Sequence, residues 1–285
     1  MVRMELRVTM IEFCHIAPTP HLDLVKDRKT HLLLAHLVES DPAYTKFYAD
    51  LKKERDVTYI LDNSAFEMYK QGRPMYPSEK LIEMGNKVNA DYIVMTDYPG
   101  EQSELTVNKA FDMAPELRAA GFKTFFVPQS EIGDFNDYVN CCMFASRSPH
   151  VDYIGISILG VPNAYGVEKN NNLQRFLSRW HMMANLYERG FFSQCTVNSK
   201  KIHLLGMVDG PNEISLLKDY RINTWDSSAA IWAGLNNISF DNSPTGLIGG
   251  KFEKEVDFDH VCNDNSLIEL ARDNMRYIDD LCEKL

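Results

Sequence analysis

Along the chain, short runs of apolar, β-branched and aromatic residues alternate with longer stretches whose apolar positions recur every three or four residues. Leu6–Cys14 (LRVTMIEFC) predicts a first strand and His31–Leu37 (HLLLAHL) an ambiguous second one. A helical pattern follows over Tyr44–Arg55, then a third strand at Val57–Leu61. Pro77 starts a helix whose Leu81, Met84 and Val88 fall at helical spacing. Asp91–Met95 predicts strand four, and a helix from about Glu104 to Ala120 closes on Gly121. Lys123–Val127 is strand five, with Asp134–Ala145 its helix. Val151–Ile156 is strand six, followed by the helix Leu173–Arg189 ending at Gly190. Lys201–Leu205 and Ile222–Trp225 are strands seven and eight, flanking a helix over Pro211–Asp219. A closing helix over Ser266–Glu283, within about 264–284, ends the chain.

Eight short strands joined by helices predict an α/β fold, a parallel (β/α)8 TIM barrel, with residues 1–285 as one domain. An open doubly wound sheet is the alternative, and it calls for a Gly-rich turn after the first strand. That place holds Ala17-Pro18-Thr19-Pro20, which fits no such turn.

Composition adds bounds. The chain is 45% hydrophobic and 25% charged, enough for a sizeable core. No apolar run approaches the roughly 20 residues of a membrane span, and the N-terminus lacks a signal-peptide pattern. The expectation is a cytosolic protein without a membrane partner. Cys14, Cys141, Cys142, Cys195, Cys262 and Cys282 show no framework spacing and no CxxC pair. The vicinal Cys141-Cys142 reads as two buried thiols of a helix rather than a redox pair. His15, His21, His31 and His36 are too irregularly spaced for a metal set, and no metal or cofactor is expected. A net charge of −10 opposes general nucleic-acid binding, although a local basic face can coexist with an acidic remainder.

Barrel chemistry sits at the C-terminal ends of strands. Strand three ends in Asp62-Asn63-Ser64-Ala65-Phe66-Glu67, strand four in Thr96-Asp97-Tyr98, and strand five in Pro128-Gln129-Ser130. Strand six ends in Gly155-Ile156-Ser157, strand seven in Gly206-Met207, and strand eight in Asp226-Ser227-Ser228. One Asp after a strand is ordinarily a helix cap. Three of them beside a glutamine at one mouth suit a divided nucleophile and acid–base task, because close carboxylates raise one another's pKa.

On these segments the chain resembles the tRNA-guanine transglycosylases and, more closely, their DNA-directed relatives, the 7-deazaguanine DNA transglycosylases. LDNSAFE (Leu61–Glu67) is similar to the family's Asp-Ser-Gly-Gly-aromatic-Gln segment, VMTDYP (Val94–Pro99) to its second Asp segment, and FVPQS (Phe126–Ser130) to its Val-Gln segment. IGIS (Ile154–Ser157), HLLGM (His203–Met207) and INTWDSS (Ile222–Ser228) resemble the Gly-Gly-Leu turn, the Tyr-Leu-Met-Gly-Val strand and the strand of the nucleophilic Asp. The resemblance spans about residues 6–230 in the family's order.

The resemblance implies exchange of a guanine in DNA for a free 7-deazaguanine base, the 7-cyano form in particular, through a covalent aspartyl intermediate. Asp226 would be the nucleophile and Asp62 the general acid and base. Asp97, Gln129, Asn63 and backbone groups from Gly155 to Ser157 would read the base edge, with Phe66, Leu205, Gly206 and Met207 around the flat ring. The target nucleotide must be flipped out or unpaired. The long segments Gly160–Asn172 and Ser227–His260 would hold it, with Trp232, Lys251 and Lys254 in the second and His15 and His21 after strand one.

The chain also departs from the pattern. The Cys-x-Cys-x-x-Cys…His zinc site of the tRNA enzymes is reduced to Cys262 and Cys282, so no zinc subdomain is expected. Ser227-Ser228-Ala229-Ala230 replaces their basic stretch, Ser64-Ala65 their Gly-Gly, and Glu67 their Gln. Alternatives are a tRNA-guanine transglycosylase, a glycosylase in which water resolves the intermediate, and a non-catalytic nucleic-acid-binding subunit. A homo-oligomer or a partner protein would supply basic surface that this chain lacks.

Overall fold

The computed structural model describes residues 10–168, 171–208, 210–241 and 255–283. Eight strands form one sheet: β1 (Glu12–His15), β2 (Thr30–Leu34), β3 (Thr58–Asp62), β4 (Tyr92–Val94), β5 (Lys123–Phe126), β6 (Tyr153–Ser157), β7 (Lys201–Leu205) and β8 (Thr224–Ser227). Every pairing is parallel, in the order β1-β8-β7-β6-β5-β4-β3-β2, and β1 also contacts β2 across the remaining seam. The sheet is a nearly closed (β/α)8 barrel, which removes the open doubly wound alternative. No helix among the described residues is long and apolar enough to cross a membrane.

Strands covered on both faces read as continuous apolar runs, as Tyr59-Ile60-Leu61 and Leu32-Leu33-Leu34 do. Side chains alternate along a strand, so Lys201, His203 and Leu205 of β7 share one face, as do Thr224 and Asp226 of β8. That face is the barrel interior. The His203 ring meets Phe125 and Tyr153 edge-on at 5.5 and 6.2 Å, which fills the middle of the barrel and leaves the next residue up each strand at the mouth.

The expected long helices are present at Pro42–Glu54, Ser78–Val88, Ser103–Ala119, Phe135–Arg147, Asn172–Glu188 and Asn265–Glu283. Asp41 caps the first, accepting from the N–H groups of Ala43 and Tyr44. Short pieces that the apolar pattern does not reveal are the 3-10 turn Thr19–Leu24 and the helices Ala35–Ser40, Ala65–Gln71, Gly160–Ala164, Phe191–Val197 and Ala229–Leu235. The run His31–Leu37 is thus half strand and half helix. Strand one is seen over Glu12–His15, and the expected start at Leu6 lies outside the described residues. Cys141 and Cys142 are buried free thiols in a helix, and burial pushes Cys141 up to about 12.

The last helix lies over β1 and the helix Ala229–Leu235. Its Ala271 approaches Gly234 so closely that a Cβ there would fall 2.3 Å from the Ala271 Cα. Asp279 ties the same helix to the barrel, meeting His15 Nε2 at 3.0 Å and the Arg28 guanidinium at 2.6 Å.

Candidate active site

At the C-terminal mouth of the strands lies a cavity of about 550 Å³. Its wall includes Asp62 from β3, Ser157 from β6, Leu205 from β7 and Asp226 from β8, with Asn63, Asp97, Gln129, Gly206 and Met207 from the following turns. Phe66 and Glu67 come from the helix Ala65–Gln71, and Glu255, Val256 and Phe258 from the segment before the last helix. Phe66 is 53% exposed at the rim, on a cavity that Leu205 and Met207 also line.

Asp226 is the last inward residue of its strand and is buried. Its Oδ1 accepts from His203 Nε2 at 2.8 Å and from the Gly206 N–H at 3.1 Å. Among the described residues no hydrogen bond reaches its Oδ2. His203 is held in turn from its other nitrogen by the Thr224 hydroxyl, and Thr224 by the Tyr153 hydroxyl at 2.7 Å. A carboxylate gripped by one oxygen and open at the other is oriented for attack or for accepting a proton.

Gly206 makes the second grip possible. Its φ of +69° is a left-handed conformation that glycine adopts freely, and a Cβ there would strike Ile158 at 2.7 Å. The Gly206 carbonyl accepts from Trp225 Nε1 at 2.8 Å and from Arg179 at 2.7 Å. Arg179 is fully buried and also donates to the carbonyls of Ile156 and Leu205, so one guanidinium gathers the ends of β6 and β7. Glu213, equally buried, lies 3.5 Å away as its counter-charge and accepts from the Val208 N–H.

Asp62 opens partly onto the cavity yet lies deep in the protein. Burial first, then the neighbouring charges of Glu67 and Asp226, push its pKa well above the ordinary value, against one opposing bond from the Ser64 N–H. Burial also raises Glu67, with Asp226 adding to the shift. His36 lines the same wall, and burial lowers it to about 4, so it is neutral at neutral pH. Its Nδ1 lies 2.9 Å from the Ser64 hydroxyl and 3.9 Å from Glu67. Ser64 itself holds φ 56°, ψ 34°, the left-handed region that disfavours a side chain.

Across the cavity floor, Asp97 is nine-tenths or more buried and accepts from Asn63 Nδ2 at 2.7 Å and Gln129 Nε2 at 2.6 Å. Burial raises it to about 6 in spite of these two donors. The Gln129 amide nitrogen is therefore committed to Asp97, whereas its Oε1 is buried with no partner. That oxygen faces Gly160, where a Cβ would fall 2.9 Å from it.

None of the three aspartates acts as a helix cap through its side chain. Asp97 and Asp226 bond to side chains and backbone from other strands, and Asp62 accepts one local N–H in the turn. Asp62, Asn63, Phe66, Asp97, Gln129, Ser157, Leu205, Gly206, Met207 and Asp226 all line one cavity. Gly155 does not. It sits inside β6 in register with His203, and a Cβ there would fall 2.5 Å from the Phe125 ring, so it makes room for the barrel core. The turn N–H groups of Leu159 and Gly160 point to the Ser157 hydroxyl.

The expected nucleic-acid contacts fare differently. His15 is buried against Asp279, because Cys14 and not His15 faces the barrel interior. The His21 ring accepts from the Cys262 N–H at 3.0 Å. Trp232 is buried in the helix Ala229–Leu235 and meets His260 edge-on at 5.2 Å. These three side chains therefore serve packing rather than an exposed contact surface. Lys251 and Lys254 lie outside the described residues. Among the described residues, no three His, Cys, Asp or Glu are grouped to hold a metal ion. Cys262 and Cys282 are free thiols there.

His203, His36 and Arg179 received no role from the sequence. His203 was findable: two residues before Leu205 on a period-two strand, it had to face inward. Arg179 carried no signal, since an arginine within a helix reads as a solvated charge.

No family model matches this sequence, and no curated protein matches it.

Proposed function

We propose that this chain is a base-exchange transglycosylase that replaces guanine in DNA with a 7-deazaguanine, the 7-cyano base being the first candidate. The observation that carries the reading is the pairing of two unlike carboxylates on one cavity. Asp226 is anchored by one oxygen with the other open, and Asp62 has its proton affinity raised well above the ordinary value by burial and by the charges of Glu67 and Asp226.

In the first displacement, Asp226 Oδ2 bonds to the anomeric carbon while the bond from that carbon to the guanine nitrogen breaks. The electron pair leaves with the base, and Asp62 supplies the proton that neutralises it. In the second, the incoming base yields a proton to Asp62 as its nitrogen attacks the same carbon, and Asp226 departs as carboxylate. Two inversions retain configuration. Asp97 offers an acceptor for the donor edge of a purine-like ring and is held in place by the Asn63 and Gln129 amides. The left-handed backbone at Ser64, where the resembled family carries glycine, lends further support.

Glu67 favours a second reading. A third carboxylate near Asp62 and Asp226 suits activation of water, which would make the enzyme a hydrolytic glycosylase. One experiment separates these outcomes. The protein is incubated with guanine-labelled duplex DNA, or with labelled tRNA, with and without 7-cyano-7-deazaguanine. Release from DNA that needs the added base and is lost in Asp226→Ala supports base exchange. Base-independent release supports hydrolysis, release from tRNA alone moves the substrate, and no release from either polymer overturns the catalytic reading.

A further inference from the structure

Beneath Asp226 the barrel core carries a polar chain. Tyr153 of β6, His203 of β7 and Thr224 of β8 are all buried, on three strands that lie side by side. The Tyr153 hydroxyl meets the Thr224 hydroxyl at 2.7 Å, Thr224 meets His203 Nδ1, and His203 Nε2 lies 2.8 Å from Asp226 Oδ1. Among the described residues, neither hydroxyl has a hydrogen-bond partner outside this chain.

Counting hydrogens gives the chain a direction. A carboxylate only accepts, and Asp226 Oδ1 already accepts from the Gly206 N–H, so His203 Nε2 must be a donor. With Nδ1 bare, Tyr153 donates to Thr224, Thr224 donates to Nδ1, and every hydrogen is used. With a hydrogen on Nδ1, that hydrogen would go to Thr224 Oγ1. One of the two hydroxyl hydrogens would then be buried without an acceptor, which is unfavourable. Burial pushes the Tyr153 phenol well above its ordinary value, so it keeps the hydrogen that starts the chain. The charged group over its ring, the Lys201 ammonium at 5.6 Å, has no acceptor to offer.

We propose that Tyr153 and Thr224 are positioning residues for Asp226, holding His203 as the tautomer with its hydrogen on Nε2 alone and fixing the plane of its ring. The role rests on the reaction proposed for Asp226. Which ring nitrogen carries the hydrogen is set by what the other nitrogen meets. The opposite tautomer would turn a lone pair towards the carboxylate and leave only the Gly206 N–H to hold it. The carboxylate could then swing, taking Oδ2 away from the anomeric carbon. A chain that ends in one N–H orients Asp226 without handing it a proton, so Asp226 remains a carboxylate for attack and for departure.

The test combines two readouts on the full chain. Ring 15N NMR, with the His203 signals assigned by their loss in His203→Phe, should show Nε2 bonded to hydrogen and Nδ1 bare. The Nε2 hydrogen should shift or broaden in Thr224→Val and stay in place in Thr224→Ser. In the labelled-guanine assay Thr224→Val should lower kcat about 10- to 100-fold with KM little changed, because small misplacements of a reacting group cost this much. Thr224→Ser should recover to within about threefold of wild type, and Tyr153→Phe should fall between the two. In a His203→Phe background Thr224→Val should cost less than about threefold more, since its effect passes through the ring. A hydrogen on Nδ1, or an equal loss from Thr224→Val in both backgrounds, would overturn the proposal. If neither polymer releases guanine, the reaction reading fails separately. The NMR then decides alone: an Nε2 hydrogen that does not respond to Thr224→Val refutes the positioning role, and one that moves supports it.

Discussion

Burial at Asp97 favours its protonated form, and the amides of Asn63 and Gln129 return only part of that difference. The folded-state value of about 6 exceeds the ordinary 3.8. Between these limits the native protein holds a proton that the unfolded chain has released. Stability from this group is therefore present below about pH 4 and is lost as pH rises through about 6, by on the order of 3 kcal/mol. Asp97→Asn removes the titration. The amide can still accept from Asn63, and Gln129 can turn its unpartnered Oε1 towards the new NH2 group. The variant should gain stability relative to wild type as pH rises, by about 1–3 kcal/mol at pH 8 against pH 4.5, while losing base recognition. Urea unfolding of both proteins across that range checks it, and a difference that does not change with pH would refute it. At His203, replacement by Phe keeps the ring packing against Phe125 and removes one of the two donors to Asp226. In the labelled-guanine assay kcat should fall about 100- to 1,000-fold with KM little changed. At this scale the sequence exposed most of the cavity, because Asp62, Asp97, Gln129 and Asp226 each stand at a strand end. It concealed what lies beneath: nothing local reveals that Gln129 spends its nitrogen on Asp97, or that His15 faces a helix at the far end of the chain.

Among elements, the long helices and most strand positions were legible because their apolar spacing repeats several times. The helices Ala65–Gln71 and Ala229–Leu235 were not, since seven residues span under two turns and their helicity comes from tertiary packing. Missing them mattered: one carries Phe66 and Glu67 to the rim, and the other buries Trp232. The joints between elements rest on specific contacts. Arg179 fastens the last carbonyls of β6 and β7 and balances Glu213. Arg179→Met should cost about 3–5 kcal/mol, because it removes the buried cation that faces the Glu213 carboxylate and leaves the carbonyls of Ile156, Leu205 and Gly206 without that donor. Arg179→Met with Glu213→Gln should recover part of that loss in thermal or urea unfolding. At the crossing of Ala229–Leu235 with the last helix, Gly234→Val would force the helices apart. The expected loss is about 1–3 kcal/mol, read as a lowered urea midpoint.

For the whole molecule, alternating strands and helices predicted the parallel barrel, and the structure shows it nearly closed. Net charge spoke less clearly. An acidic chain with a carboxylate-rich cavity draws little binding energy from a phosphate backbone without a basic surface, and Lys70, the one Lys or Arg among the described residues lining the cavity, is paired with Glu255. If DNA is the substrate, its binding should be weak and only shallowly salt-dependent for the isolated protein, which a titration of a fluorescent duplex at several salt concentrations measures. A steep salt dependence would instead locate a basic tract on the chain. The last helix is integral to the architecture, because it covers Ala229–Leu235 and β1 together.

The grip of Asp279 on His15 joins residues 264 positions apart, and β1 finds its ladder partner in β8 rather than in its own half of the chain. Synthesis runs from one end to the other. While β2 to β7 emerge from the ribosome, β1 therefore has an empty edge, and the residue that locks it has yet to be made. Asp226 reaches its place beside Cys14 only when that wait ends. A stalled or truncated nascent chain would expose an unpaired strand edge, making it a natural client for chaperones and a poor candidate for folding in halves.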